Sequence, residues 1–175
     1  MKITHILFWL ALALLVQTTL VPLVAGGGAP VDLVLIVVVF AALSRGPVAG
    51  LWTGTLAGLL QDALSGGIIG VGGLTKTMIG VVVGVIGSRF LLGTVWHRLT
   101  VLVGASFVHG FCYLWIHTLI GQDGPAGPVA LVTVQAAVNA LVGVTVPLVA
   151  RTAPGMLDRL RRSRNPLRRR RWMMS

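Results

Sequence analysis

Ionisable side chains are scarce between residues 3 and 150, and two of them, Asp62 and Lys76, flank one glycine-rich turn. The stretch from Gly50 to Gly87 reads as two apolar helical runs joined by that turn. The acid and the base then fall at the same end of a helical hairpin. An unpaired charge at membrane depth costs about 3 kcal/mol or more, so the two are expected to pair or to share a polar pocket. The alternative is that each side chain reaches a membrane interface on its own, its aliphatic stem in the apolar layer and its charged end in water.

Other constellations come near known chemical patterns. Gly70 to Thr77, GVGGLTKT, approaches the phosphate-loop pattern G-x-x-x-x-G-K-[ST]. It fails at Thr75, where glycine is required for backbone N–H groups to wrap a phosphate, and no strand precedes it. His109 and Cys112 lie three residues apart with His117 further on, yet a metal site needs a third or fourth ligand, and Gln135 and Asn139 are poor sources. These polar groups are better used as hydrogen bonds between helices. No metal and no cofactor are expected. Neither a paired-carboxylate site nor a Ser/His/Asp arrangement is visible, so the chain reads as non-enzymatic.

The elements that must position these residues are apolar helices. The 175 residues are 55% hydrophobic and 10% charged, with a mean hydropathy of +0.92. Apolar runs approach the roughly 20 residues that cross about 30 Å of hydrocarbon, which indicates an all-α polytopic membrane protein. Six spans are predicted: Ile3–Val24, Val31–Leu43, Val48–Leu64, Leu74–Leu92, Leu99–Ile120 and Val129–Ala150. The first resembles a signal peptide loosely, but it exceeds the usual apolar core of roughly 7–15 residues and is read as a span. Its polar outer half, Gln17-Thr18-Thr19, suits helix packing rather than lipid. Asp32 opens the second span, where the helix dipole favours an acid. The lone cysteine excludes an intrachain disulfide.

Gly50, Gly54 and Gly58 recur every four residues and lead to Asp62, while Gly80, Gly84 and Gly87 continue the series from Lys76. Small residues at this spacing let two helix backbones approach closely. The spans form one domain, residues 1–150, and residues 151–175 form a basic cytoplasmic tail. The net charge of +10 would suggest nucleic acid in a soluble protein, but most of it lies in that tail. Arg161, Arg162, Arg168, Arg169, Arg170 and Arg171 are therefore expected to contact anionic lipid, and no nucleic-acid partner is expected. Placing both termini in the cytoplasm puts Lys2, Arg45, Arg89, Arg98 and the tail inside, as the positive-inside rule requires. Lys76 is the exception.

The run Gly54-x3-Gly58-x3-Asp62-x2-Ser65-Gly66-x3-Gly70-x3-Leu74 resembles the central motif of the MreD family of rod shape-determining membrane proteins. The first span ending in Gln17-Thr18-Thr19 and the opening Pro30-Val31-Asp32-Leu33 of the second agree with it. Val31 separates proline from acid where the family often has them closer, and neither Lys76 nor the arginine tail belongs to the match. The resemblance implies a non-enzymatic scaffold of the cell-wall elongation machinery. It also implies an MreC-like single-span partner, the RodA and penicillin-binding synthase complex, and the MreB cytoskeleton indirectly. It further implies a fold similar to the substrate-binding subunits of energy-coupling-factor transporters. In it Gly54, Gly58, Asp62, Ser65, Gly66 and Gly70 contact a partner or shape the fold. The other reading of the chain is a small-molecule-binding subunit of such a transporter, with a polar pocket near Asp62 and Lys76.

Overall fold

A computed structural model describes residues 3–20, 31–66, 68–90, 95–120 and 129–145, all helical or in the short connections between helices. Helix α1 (Ile3–Leu15) runs into a π-helical turn, Val16–Leu20. It is followed by α2 (Leu33–Arg45), α3 (Pro47–Ser65), α4 (Val71–Arg89), α5 (Val95–Leu119) and α6 (Val129–Thr145). No strand occurs among the described residues, and the chain is an all-α membrane protein in the sense expected from its composition. Val71–Arg89 and Trp96–Ile116 are long and apolar enough to cross a bilayer by themselves. The chain divides into two units, residues 1–143 and 144–175. All the packing below belongs to the first. The basic tail with Arg161, Arg162 and Arg168 to Arg171 lies outside the described residues.

One of the two 13-residue helices, α2, is the centre of the unit. Val34, Leu35, Val38, Val39 and Ala42 of α2 are fully enclosed. On one side α2 meets Leu10, Ala13 and Leu14 of α1 and Ala57 of α3. On the other it meets Ile79 and Val83 of α4 and Leu102 and Ala105 of α5. A helix that is apolar all round has no face to give to solvent and is stable only when covered on every side. The apolar side chains that remain outward, among them Trp52, Leu56, Leu64, Met78, Val82 and Trp115, belong to the surrounding helices.

The α3–α4 pair is the closest in the molecule, and its seam is made by backbone. A Cβ built on Gly50 would collide with the carbonyl of Gly80, and one on Gly80 would collide with Gly50. At Gly54 it would lie 2.5 Å from the carbonyl oxygen of Lys76, and at Gly58 it would strike the backbone of Gly72 and Gly73. Gly84 faces Pro47 at the other end of the seam. Gly87 departs from the stripe and turns toward Leu43 of α2, 3.1 Å from its Cα. The polar complement of the seam is a 2.8 Å hydrogen bond between the hydroxyls of Thr55 and Thr77.

The turn between α3 and α4 uses two glycines in the left-handed region, Gly66 at φ 66° and Gly70 at φ 106°. A side chain there would strain the backbone, so glycine ends one helix and opens the next. Pro47 at the first position of α3, with Gly46 before it, likewise allows an abrupt turn after Arg45.

Candidate functional site: a buried ion cluster beside a polar cavity

The π-helical turn of α1 brings Gln17 against the start of α2. Its amide nitrogen donates to the carbonyl of Val31 (2.7 Å), and its carbonyl oxygen accepts from the backbone N–H of Leu33 (2.8 Å). Asp32 is the N-cap of α2, its Oδ1 accepting from the N–H of Leu35 at 2.9 Å. The N–H of Asp32 donates to Oδ1 of Asn139 from α6 (2.9 Å), and the Asn139 amide donates to the hydroxyl of Ser106 on α5 (3.1 Å). Helix starts leave N–H groups without intrahelical partners, and hydrocarbon offers none. Here side chains from α1 and α6 supply them.

The second carboxylate oxygen of Asp32 carries the ion pair. Its Oδ2 lies 2.8 Å from Nζ of Lys76, and both side chains are almost wholly buried, at 5% and 3% exposure. Lys76 Nζ also lies 3.2 Å from Nε2 of His109, which in turn is 3.8 Å from Asp32 Oδ2. An ammonium can only donate, so Nε2 is the accepting nitrogen and the imidazole proton sits on Nδ1. His109 stacks on Tyr113 one turn along α5, with ring centroids 6.1 Å apart. Three helices, α2, α4 and α5, are thus tied together at one point by a carboxylate, an ammonium and an imidazole.

The expected partners of Lys76 are corrected by this arrangement. It neither snorkels to an interface nor pairs with Asp62; its ion pair is with Asp32. Asp62 instead closes the start of α4, its Oδ2 accepting from the N–H groups of Gly70 (2.9 Å) and Gly73 (3.2 Å). Its Oδ1 sits over Gly72, in the place a Cβ of that residue would occupy. A carboxylate at a helix N-terminus is held by both hydrogen bonding and the dipole. Among the motif residues, Gly54 and Gly58 build the α3–α4 seam, Gly66 and Gly70 shape the turn, and Ser65 is exposed at the end of α3.

Asp62 and Lys76 nevertheless meet the same space. A cavity of about 350 Å³ has Gln17, Asp32, Gln61, Asp62, Lys76 and His109 among its polar lining, together with Ser65, Tyr113 and Gln135. Its apolar side is built from residues such as Ile68, Leu131 and Val132. Two buried polar atoms of its wall have no hydrogen-bond partner among the described residues: Oε1 of Gln61 and Nδ1 of His109.

Reasoning from sequence missed Asp32 as the counter-ion and His109 as the third member. The signal was present in the topology, because antiparallel spans put the starts of α2 and α4 at the same end. Chain proximity favoured Asp62, 14 residues away, over Asp32. Cys112 is a half-buried free thiol one turn from His109 and takes no part in the cluster.

No curated protein and no solved structure matches the chain. A family model described as MreD, rod shape-determining protein MreD, matches residues 1–145 and so takes in every described helix and every residue of the cluster and cavity. With its turn glycines, its capping carboxylate and its six described helices inside that match, the chain belongs to the MreD family of rod shape-determining membrane proteins.

Proposed function

We propose that this protein is a non-enzymatic membrane scaffold of the cell-wall elongation complex. In this reading it binds an MreC-like single-span partner and helps position peptidoglycan synthesis by a RodA and penicillin-binding pair, with the MreB cytoskeleton linked indirectly. The family match over residues 1–145 carries the reading. The packing supports it in physical terms. The charges of the helical unit that hold helices together point inward, and the outer face of α3 presents apolar side chains at helical spacing, Val48, Trp52, Leu56, Leu60 and Leu64. A rigid unit with such a rib suits association with a partner helix by packing alone. The chain passes the membrane several times with both termini in the cytoplasm, and its arginine tail lies on anionic lipid.

Purification in a gentle detergent, followed by mass spectrometry of proteins and small molecules, tests the reading. A stoichiometric single-span partner is expected. Recovery of a stoichiometric vitamin-like ligand with no wall-synthesis partner would sink it. That outcome would favour a second reading, a substrate-binding subunit similar to those of energy-coupling-factor transporters, for which the 350 Å³ cavity is the supporting observation.

A further inference from the structure

The cavity has a chemical bias that the scaffold reading does not use. Its lining holds two carboxylates, Asp32 and Asp62, and one ammonium, Lys76. The ion pair cancels Asp32 against Lys76. Asp62 is opposed only by two backbone N–H groups, both bonded to Oδ2, so a full negative charge remains with Oδ1 unbonded among the described residues. The adjoining Gln61 adds a second acceptor without a partner, Oε1. The remaining unused group is a donor, since the Lys76 ammonium occupies Nε2 of His109 and leaves its proton on Nδ1. An unsatisfied buried polar atom costs on the order of 1–3 kcal/mol. Two of them in one wall, beside a carboxylate with no counter-ion among the described residues, call for a complementary occupant. The volume is within the range of small-molecule sites, roughly 300–1,000 Å³.

We infer that the cavity under Asp62 binds a compact organic cation with N–H donors, a primary ammonium or a guanidinium, that also carries a hydrogen-bond acceptor. The cationic group sits at Asp62 Oδ1 and Gln61 Oε1, and the acceptor faces the His109 side. Quaternary ammonium ions, which carry charge but no N–H, are excluded by the same chemistry. Two sources supply such a group at a membrane: a soluble amine, and the ethanolamine headgroup of a phospholipid. The inference holds whether the occupant is resident in a scaffold or the cargo of a transporter subunit.

The test uses the full chain in phosphatidylcholine nanodiscs, with thermal unfolding as readout and ethanolamine, 2-guanidinoethanol and choline as probes. At ten times its dissociation constant a ligand raises the midpoint of a protein of this size by about 3–5 °C. Ethanolamine or 2-guanidinoethanol should produce a saturable rise and choline none. Nanodiscs of phosphatidylethanolamine identify the source: a rise there without added amine, with no further effect of free amine, assigns the headgroup. A rise only on adding amine assigns a soluble ligand. Gln61→Leu removes an unpartnered buried acceptor, so it should fold at least as stably as the wild type, yet lose the amine response at least tenfold in concentration. Asp62→Asn should lose it entirely, and because that change also weakens the start of α4, the Leu variant keeps the test decisive. Equal responses to choline and ethanolamine would overturn the proposal. So would an unchanged response in Gln61→Leu, or no response to either amine or to phosphatidylethanolamine.

Discussion

Two junctions hold this helical unit together, and they work by opposite means. Along the α3–α4 seam from Gly50 to Gly58 no charged side chain intervenes, and the helices touch because side chains are missing. At the start of α2 the helices are joined by what is present: a carboxylate, an ammonium, an imidazole and two amides drawn from five helices. The seam gains from close dispersion contacts over its whole length. The cluster concentrates its contribution at one point, where every group depends on its neighbours. A seam tolerates gradual change badly but locally. A cluster fails as a unit.

The largest effect should come from breaking the cluster asymmetrically. Lys76→Met leaves Asp32 buried without its counter-ion, and loss of one member of a buried pair costs about 3–5 kcal/mol. Asp32→Asn retains an N-cap acceptor for Leu35 but removes the charge, and it should cost a similar amount. In reversible unfolding in bicelles, the double variant should lose clearly less than the two single losses added together. Strict additivity would show that the 2.8 Å pair has no energetic coupling. The same cycle run on Asp62→Asn and Lys76→Met should be close to additive, because those two residues share a cavity wall but no bond.

The seam comes next. Gly50→Ala places a methyl group against the Gly80 carbonyl, and overpacking of this kind costs about 1–3 kcal/mol. Gly104→Ala on α5 meets nothing within 4 Å and serves as its control, with a neutral or slightly stabilising outcome. A loss at Gly104 as large as that at Gly50 would remove the case for a backbone seam.

Smaller effects belong to the turn that lies between the two junctions. Asp62→Ala frees the N–H groups of Gly70 and Gly73 and should lower stability by about 1–2 kcal/mol, read as faster amide exchange over the first turn of α4. Gly66→Ala should cost about 1 kcal/mol for its left-handed backbone, whereas Gly66→Asn should cost less, since asparagine tolerates that region.

The contrast between the junctions also explains what could be read from sequence. Close helix packing in lipid has a one-dimensional signature, small residues at every fourth position, and Gly50, Gly54 and Gly58 displayed it openly. Helix limits followed from the lengths of apolar runs: Val48–Leu64 was expected and Pro47–Ser65 is found, and the sixth helix begins at Val129 as expected. The cluster has no such signature. Asp32, Lys76, His109 and Asn139 are spread over 107 residues, and each has a sufficient local explanation as a cap, an interface residue or a helix contact. Only the three-dimensional convergence of four helices makes them one object. Gln17 was legible as a packing residue, but its role in satisfying α2 depends on the π-helical turn, which no spacing of side chains announces. Gly87 shows the limit from the other side, because it keeps the register of the stripe yet faces α2.

The shortness of α2 has a consequence for the bilayer. Thirteen residues rise about 20 Å, roughly 10 Å less than the hydrocarbon is thick. A helix that short, if bordered by lipid, would draw the two leaflets together or tilt its neighbours, at a cost that grows with each ångström of mismatch. Here its apolar positions are covered by the surrounding helices. The mismatch is therefore met by protein rather than by lipid, and the ion cluster and the cavity lie at the N-terminal end of this helix.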